Sequence, residues 1–435
     1  MDKRDFFEEK SNNEYDVIVA GGGPSGCCAA VAAARMGMRV LILEATSALG
    51  GMGTMGMVSA MAPLTDGNKL IYKSLPIEVL SRYKKRMKIA DNKWDWIELS
   101  PEDLKRIYDD IVSESGASVL FQTVVCGVKT DNNRIAVISA ASKTGLNEFK
   151  AKVYIDCTGD GDLAAFCGIP FEKGEDGAVQ SSSLCFSISN IRMDKLKTEI
   201  NSNFDYGIWP KIIADGKYPL ITRHFIPAFF GNTLIINGGH LFQIDSSDSM
   251  QMSKAYMLGR KTAEQYHNAL KEYLPEAFAE SYLAETAPLM GIRESRRITG
   301  KYILTLEDYL ARRSFDDEIA RNSYWLDCHP SDNNTAHLNK TETADSYKKG
   351  DSHGIPFRCL VPVAMENLLV AGRCISVERK VLSSTRVMPN CLATGEAAGI
   401  AAAISVKENL TVCKIDGKRI KGIINSMQTS SEIEN

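Results

Sequence analysis

Gly21, Gly23 and Gly26 stand in a G-x-G-x-x-G spacing, between an apolar run from Val17 to Ala20 and an alanine-rich stretch that opens at Pro24 and Ser25. Each glycine has a separate use if the turn binds a pyrophosphate: the first for a tight turn, the second for close backbone approach, the third for helix-to-sheet packing. The free N–H groups would sit at the positive end of a helix, which suits an anion. Glu44, followed by Ala45, ends a second apolar run from Arg39 to Leu43. At that distance from the turn a carboxylate accepts hydrogen bonds from both hydroxyls of an adenosine ribose and disfavours a 2′-phosphate. Strand, turn, helix and strand make one complete βαβ unit. The unit predicts dinucleotide binding and does not by itself separate FAD from NAD.

A chain of 435 residues, 44% of them hydrophobic, can bury a large core and is expected to form two or more domains. A net charge of −3 gives no reason to expect nucleic-acid or acidic-membrane partners. No apolar run approaches the ~20 residues of a membrane span. The charged first residues lack the apolar centre of a signal peptide, so residues 1–14 are expected to be a loose tail. The 11 cysteines are odd in number and unpatterned, as expected of reduced thiols in a cytoplasmic protein. The absence of C-x-x-C argues against a dithiol reductase and against a zinc or iron–sulfur site, so no metal is expected.

The elements that would position a cofactor follow in order. Gly50, Gly51 and Met52 open a glycine- and methionine-rich stretch to about Met61, read as a loop lying against a ligand. Ser100-Pro101 followed by Glu102 and Asp103 predicts a helix over residues 101 to 115. From Ala117 to Asp156 the pattern is strand-like, with turns at Asn132-Asn133 and Thr144-Gly145, and predicts a β-meander feeding a buried strand. A nicotinamide-binding module would continue with alternating helices and strands, so this insertion favours a flavoprotein. A long amphipathic helix is predicted from about Ser253 to Tyr273, and another, made of small residues, is entered at Pro389-Asn390. The fold class read from this order is α/β: a Rossmann-like FAD-binding domain with a β-meander and a C-terminal return, plus an inserted α+β substrate domain. The expected boundaries are residues 15–162 and 355–420 for the two parts of the FAD-binding domain and 163–354 for the insert. A polar tail is expected over 421–435.

Six motifs carry a resemblance: the glycine turn with Glu44, Gly50-Gly51, "IDCTGDGD" from Ile155, "GIRESRRITGKYILTLEDY" from Gly291, "IPFR" from Ile355, and "LLVAGRCIS…RVMPNCLATGEAAGIAAA" from Leu368. Together they resemble the FAD-dependent oxidoreductase family of the glutathione-reductase-like flavoproteins, with fumarate reductases and succinate dehydrogenase flavoproteins as distant relatives. The resemblance spans about residues 15 to 405 and implies a tightly held FAD. It implies cofactor contacts from the glycine turn and Glu44, from the Gly50 loop and Val125, and from Thr158, Gly159 and Asp160. Gly372 and Arg373 follow a strand, where the guanidinium would neutralise phosphate charge. Asn390, Cys391 and Leu392 would aim helix N–H groups at the flavin edge where negative charge collects on reduction.

The substrate side rests on fewer signals. At helical spacing Arg293, Arg296 and Arg297 share a face, and Glu294 reaches Arg297, which reads as a salt-bridged helix with one arginine turned to the flavin. His240, His329 and His353 are candidates for proton transfer, with His353 and Arg358 close to the return into the FAD domain. No second G-x-G-x-x-G follows a strand, so an external electron donor or acceptor is expected besides a small-molecule substrate. The function expected is a dehydrogenase or reductase that moves a hydride between FAD and a small polar, oxyanionic substrate. A flavin monooxygenase fits the resemblance less well, and the alternative is a relay flavoprotein that docks a protein partner. Oligomeric state and substrate identity are not readable.

Overall fold

The computed structural model describes residues 14–175, 177–199, 208–332 and 347–427; of the expected N-terminal tail, residues 1–14, all but Glu14 lie outside them, as do residues 428–435, and Glu14 opens the first strand. The main sheet has the spatial order Ser118–Leu120, Val40–Leu43, Glu14–Ala20, Gly145–Asp156, Arg134–Ser142, Val124–Asp131. Its first four strands are parallel, with Val17 opposite both Val40 and Val153. Val17 to Ala20 and Val40 to Leu43 are buried without alternation, the mark of parallel strands covered on both faces. The strand Gly145–Asp156 serves three partners: its first half completes the predicted antiparallel meander, its second half runs parallel to Glu14–Ala20, and Tyr154 to Asp156 also receive Leu368–Val370 in parallel. The C-terminal return is that strand.

The helix Pro24–Arg35 leaves the first strand and crosses the long helix Met388–Glu408 at small residues. A Cβ on Gly395 would lie 2.1 Å from the Ser25 carbonyl oxygen, and one on Gly399 would lie 2.2 Å from that of Ala29. Only glycine permits this approach, which brings the N-terminal ends of the two helices to one region of the molecule. The helix Pro101–Ser115 forms as predicted, ending at Gly116 with φ 81°. The expected C-terminal tail is partly a helix: Gly417–Ser426 is capped by Asp416 and buries Ile420 and Ile424.

A second, antiparallel sheet has the order Ile226–Phe230, Thr233–Asn237, Phe186–Ser189, Tyr282–Thr286. The helix Ser249–Tyr273 packs on it through Ala255, Gly259, Thr262, Ala263, Tyr266, Ala269 and Leu270, a helical stripe. It begins four residues before the predicted start, because the Asp248 side chain accepts hydrogen bonds from the N–H groups of Met250 and Gln251. Residues Ile298, Leu304, Tyr309, Ile319 and Ile355 pack into the core of the first sheet. The chain therefore re-enters that core well before residue 355. No single helix among the described residues is long and apolar enough to cross a membrane.

The segment from Arg293 to Arg297 is not a helix. Arg296–Ile298 is a short strand paired with Phe171–Lys173. The helical reading failed because the Glu294–Arg297 pair spans i to i+3, which an extended chain also allows, and tertiary contacts override a short propensity. Nor is the pair at the surface: the side chains are 0% and 3% exposed, and Arg379 bonds the same carboxylate at 3.1 Å. Removing Arg297 takes one of two guanidiniums from a fully buried carboxylate. Arg297→Ala is expected to lower unfolding stability by about 3 kcal/mol in urea melts, well beyond the ~1 kcal/mol ceiling of a surface pair.

Glu396, 1% exposed on the long helix, accepts from the Ser74 hydroxyl and from the Leu75 N–H at 3.3 Å. Burial pushes its carboxyl up to about 7. Because this lies above the unfolded value, the penalty for ionisation is absent at low pH and grows as pH rises from the unfolded value through the folded one. Glu396→Gln is therefore expected to melt above the parent protein at pH 8, by up to about 3 kcal/mol of stability, with the gap closing toward pH 5.

Candidate active site

The glycine turn separates cleanly into what the chain needs and what it does not. A Cβ on Gly26 would lie 1.9 Å from the Gly21 carbonyl oxygen, and one on Gly21, whose φ is +94°, would lie 2.6 Å from that of Cys157. Both glycines are demanded by packing. Gly23 differs: its φ of −68° suits any residue, and a Cβ there meets nothing within 4 Å. The space above Gly23 is the cradle that a pyrophosphate would fill. Pro24, Ser25 and Gly26 open a helix with no acidic residue in its first turn and no side-chain cap, so its leading N–H groups are available to an anion.

Glu44 reaches back to the turn, accepting from the Gly22 N–H at 2.6 Å and from the Thr46 N–H at 2.7 Å. Its neighbour Ala45 is exposed at the end of the strand. The loop from Gly50 lies on the same turn: the Gly50 N–H bonds the Gly22 carbonyl at 2.8 Å, and a Cβ on Gly51 would lie 3.0 Å from Gly23 Cα. Met52 is half-buried, and the Leu289 N–H bonds the Met55 carbonyl at 3.0 Å, so the loop ties the turn to the second unit. Val125 lies half-buried in the meander opposite Ala140.

Asp156 ends its strand fully buried and accepts from Thr158 through both N–H and hydroxyl, and from the Ala164 N–H. Burial pushes Asp156 up to about 6. These bonds shape the turn that carries Thr158, Gly159 with φ +80°, and Asp160. Arg373 pairs with Asp160 at 2.8 Å and reaches the Ser295 hydroxyl at 3.4 Å. Asp160 thus meets its charge within the protein. Gly372, with φ +85°, places its missing side chain 2.7 Å from the Ser25 hydroxyl.

Asn390, Cys391 and Leu392 lie in the first turn of Met388–Glu408, which has no acidic residue and no side-chain cap. Asn390 is 0% exposed; its Oδ1 accepts from the Tyr72 hydroxyl at 2.5 Å, and its Nδ2 has no partner among the described residues. A buried amide donor without a protein partner costs free energy unless a ligand accepts from it. The residues therefore fit FAD: Gly23, Ser25, Gly26 and Glu44 for the adenosine and pyrophosphate, Asn390 with the helix N–H groups for the flavin.

Two residues before that helix is Arg386, and it belongs to a network that sequence reasoning did not assemble. Arg386 Nη2 bonds Asp327 Oδ2 at 3.1 Å and the Asp327 carbonyl oxygen at 3.0 Å. Asp327 faces His329 Nε2 at 3.5 Å and accepts from the Tyr324 hydroxyl at 3.5 Å. His329 Nδ1 lies 3.3 Å from both Arg223 Nη1 and His240 Nε2. His240 Nδ1 lies 3.3 Å from the Thr222 hydroxyl. The His329 N–H bonds Gln180 Oε1 at 3.1 Å, and next to Gln180 the Ser181 carbonyl accepts from Arg293 Nη1 at 2.8 Å. Arg293, read from sequence, and Arg223 and Arg386, which were not, thus converge from distant segments.

Electrostatics in the network are one-sided. Neither Arg223 nor Arg293 has a carboxylate within 4 Å among the described residues. Burial, then the charges of Arg223 and Arg386, push Arg293 down to about 9. Burial and the arginines push His240 down to about 2 and His329 well below its ordinary value, so both rings are neutral. Their tautomers follow: Nε2–H of His329 faces Asp327, and its Nδ1 accepts from Arg223 and His240. Asp327 is held well below the carboxylate range by His329, Arg386 and Arg293.

The other two candidates lie elsewhere. His353 is 0% exposed, bonds the Tyr347 hydroxyl through Nδ1 and packs on Tyr309. Burial, then Arg321 and Arg312, push it down to about 3, so it is a neutral core histidine outside the arginine network. Arg358 stacks on Tyr302 and pairs with Asp317 at 2.9 Å on the surface. Of the arginine run only Arg293 enters the network; Arg296 clamps the turn at Asp162 and the Asp160 carbonyl.

The profile of the family described as FAD dependent oxidoreductase matches residues 16–424. The chain belongs to that family. The oxidoreductase has no significant match among curated proteins. Among solved structures it is similar to a geranylgeranyl bacteriochlorophyll reductase-like protein from Thermoplasma acidophilum, at 12% identity over 96% of this chain and 93% of that one, with a TM-score of 0.46. It is also similar to a p-nitrophenol 4-monooxygenase from Pseudomonas putida, at 10% identity over 94% and 86% of the two chains, with a TM-score of 0.49.

Proposed function

We propose that this FAD-dependent oxidoreductase works as a dehydrogenase or reductase on a small oxyanionic substrate held by Arg223, Arg293 and Arg386. The observation that carries the reading is the pair of guanidiniums, Arg223 and Arg293, that meet no carboxylate among the described residues. Arg293 is buried and Arg223 half-buried, and an unpaired charge taken from water is tolerated where a ligand supplies the partner. Bound FAD supplies two-electron redox chemistry at the end of the site where Asn390 sits.

The protein's own groups bind and orient. Arg293 is held by the Ser181 carbonyl and the Ser183 hydroxyl at 3.0 Å, so its remaining donors are fixed in direction. Asp327 orients both Arg386 and His329, and His329 in turn orients Arg223. The histidines spend their lone pairs on this scaffold, which makes them positioning residues in our reading. Arg293, its pKa brought down to about 9, remains charged at pH 7 and is the group from which a proton is given to substrate with least penalty. An external donor or acceptor completes the electron transfer. The relay alternative loses support, because Arg293 and Arg297 are buried and the half-buried Arg296 is clamped on Asp162.

The test is anaerobic mixing of the oxidised holoprotein with saturated and 2-hydroxy acids, and of the reduced holoprotein with unsaturated and 2-oxo acids. Flavin absorbance is expected to respond to at least one anionic acid and not to its amide. Response to a protein donor and to no small molecule would contradict the proposal.

A further inference from the structure

The side-chain amide of Asn390 has two ends, and the protein commits only one of them. Its Oδ1 accepts from the Tyr72 hydroxyl at 2.5 Å, while its Nδ2 meets no partner among the described residues although Asn390 is 0% exposed. Oxygen and nitrogen of an amide fill nearly the same space, so packing alone does not choose between the two orientations; a donor beside one end does. Tyr72 is that donor. It is 4% exposed, and its hydroxyl makes no other bond among the described residues. Burial, then the neighbouring Cys391, raise its phenol well above the ordinary value, so it keeps its proton. With the oxygen turned to Tyr72, the free end of the amide is a pair of N–H donors.

We propose that Tyr72 is a positioning residue that raises the reduction potential of bound FAD by holding the Asn390 amide with its donors toward the flavin. The inference rests on the flavin end of the function proposed above and not on its substrate. FAD that takes up two electrons and one proton is more negative than oxidised FAD by one charge. An N–H donor at its edge favours that state and a carbonyl oxygen disfavours it. Without the Tyr72 hydroxyl the amide is free to turn over and present its oxygen. The segment that carries Tyr72 is fixed where this needs it. Two residues on, the Ser74 hydroxyl donates to Glu396, and the Leu75 N–H bonds the same carboxylate oxygen at 3.3 Å. Asn390 and Glu396 lie on one helix, so residues 72–75 are tied along its opening turns at two points. Ser74 keeps a φ of +52° there, which a serine holds only under such constraint.

Reductive titration of the FAD-loaded protein against reference dyes, with dithionite as the electron source and no substrate present, measures the potential. Tyr72→Phe removes one oxygen atom and is expected to bind oxidised FAD within a few fold of the parent. Its potential is expected to fall by at least about 30 mV, the two-electron equivalent of a tenfold loss of preference for reduced over oxidised FAD. Because Tyr72 acts through Asn390, the shift is expected to vanish when the same change is made in Asn390→Ala. The parent's potential in Tyr72→Phe would overturn the inference. So would loss of FAD from that variant, which would mark the residue as structural, or the full shift persisting in Asn390→Ala. Where Asn390→Ala holds no FAD, Tyr72→Phe alone decides. Failure of the underlying reading looks different: Asn390→Ala would itself keep the parent's potential and FAD affinity, which removes the flavin from Asn390.

Discussion

Gly23→Val is expected to fold normally and to lose FAD, with affinity falling at least ~100-fold. The backbone at Gly23 has φ −68° and ψ −175°, which valine adopts readily, and its Cβ enters space that no protein atom occupies within 4 Å. A side chain there takes the place of the pyrophosphate and removes the backbone approach on which dinucleotide binding depends. Heat-released flavin, quantified by chromatography, is expected at wild-type level in the parent and near zero in the variant, with the melting temperature of the stripped proteins alike. Gly26→Ala is the contrasting case. Its Cβ would lie 1.9 Å from the Gly21 carbonyl oxygen, so the apoprotein itself should be destabilised. Wild-type FAD content in Gly23→Val would show that the turn is not the pyrophosphate site.

Arg293→Ala is expected to lower the rate of flavin reduction or reoxidation by on the order of 100-fold or more while leaving FAD content nearly intact. A guanidinium fixed on the Ser181 carbonyl and the Ser183 hydroxyl offers a directed fork to an oxyanion, and losing one such donor costs about 3 kcal/mol of transition-state stabilisation. Arg293→Lys keeps the charge without the fork and should recover part of the rate. Stability moves the other way. Arg293 is 7% exposed and has no carboxylate partner among the described residues, so removing its charge relieves a desolvation penalty. The substrate-free Arg293→Ala protein should melt no lower than the parent. A large loss of stability with little loss of rate would mark Arg293 as structural.

The cofactor half of the site was legible because its signals are local. Glycine spacing, a helix start at Ser100-Pro101 and an acid at a strand end act within short windows, and the structure uses each of them there. Even so, spacing did not reveal that Gly21 and Gly26 answer to packing while Gly23 borders open space; that needed the position of a Cβ in space. The proposed substrate half is assembled from Thr222, Arg223, His240, Arg293, Asp327, His329 and Arg386, and no window of sequence contains it. Arg386 offered one usable signal, a cation just ahead of the helix that opens at Met388. The run from Arg293 to Arg297 misled because its spacing satisfies a helix, whereas its contacts are with the Asp160–Asp162 turn, Glu172 and Ser181, all far away in sequence. His353 looked placed for proton transfer by its neighbours in the chain, and burial beside Tyr309 and Tyr347 removed it from the site.

A crystal structure of the holoprotein soaked with an anionic acid that changes the flavin absorbance tests the central claim most directly. The account predicts FAD with its pyrophosphate above Gly23, its ribose at Glu44 and its ring beside Asn390, and the anion on Arg223 and Arg293. Density showing the pyrophosphate of FAD on those two arginines, or the flavin ring remote from Asn390, would contradict it.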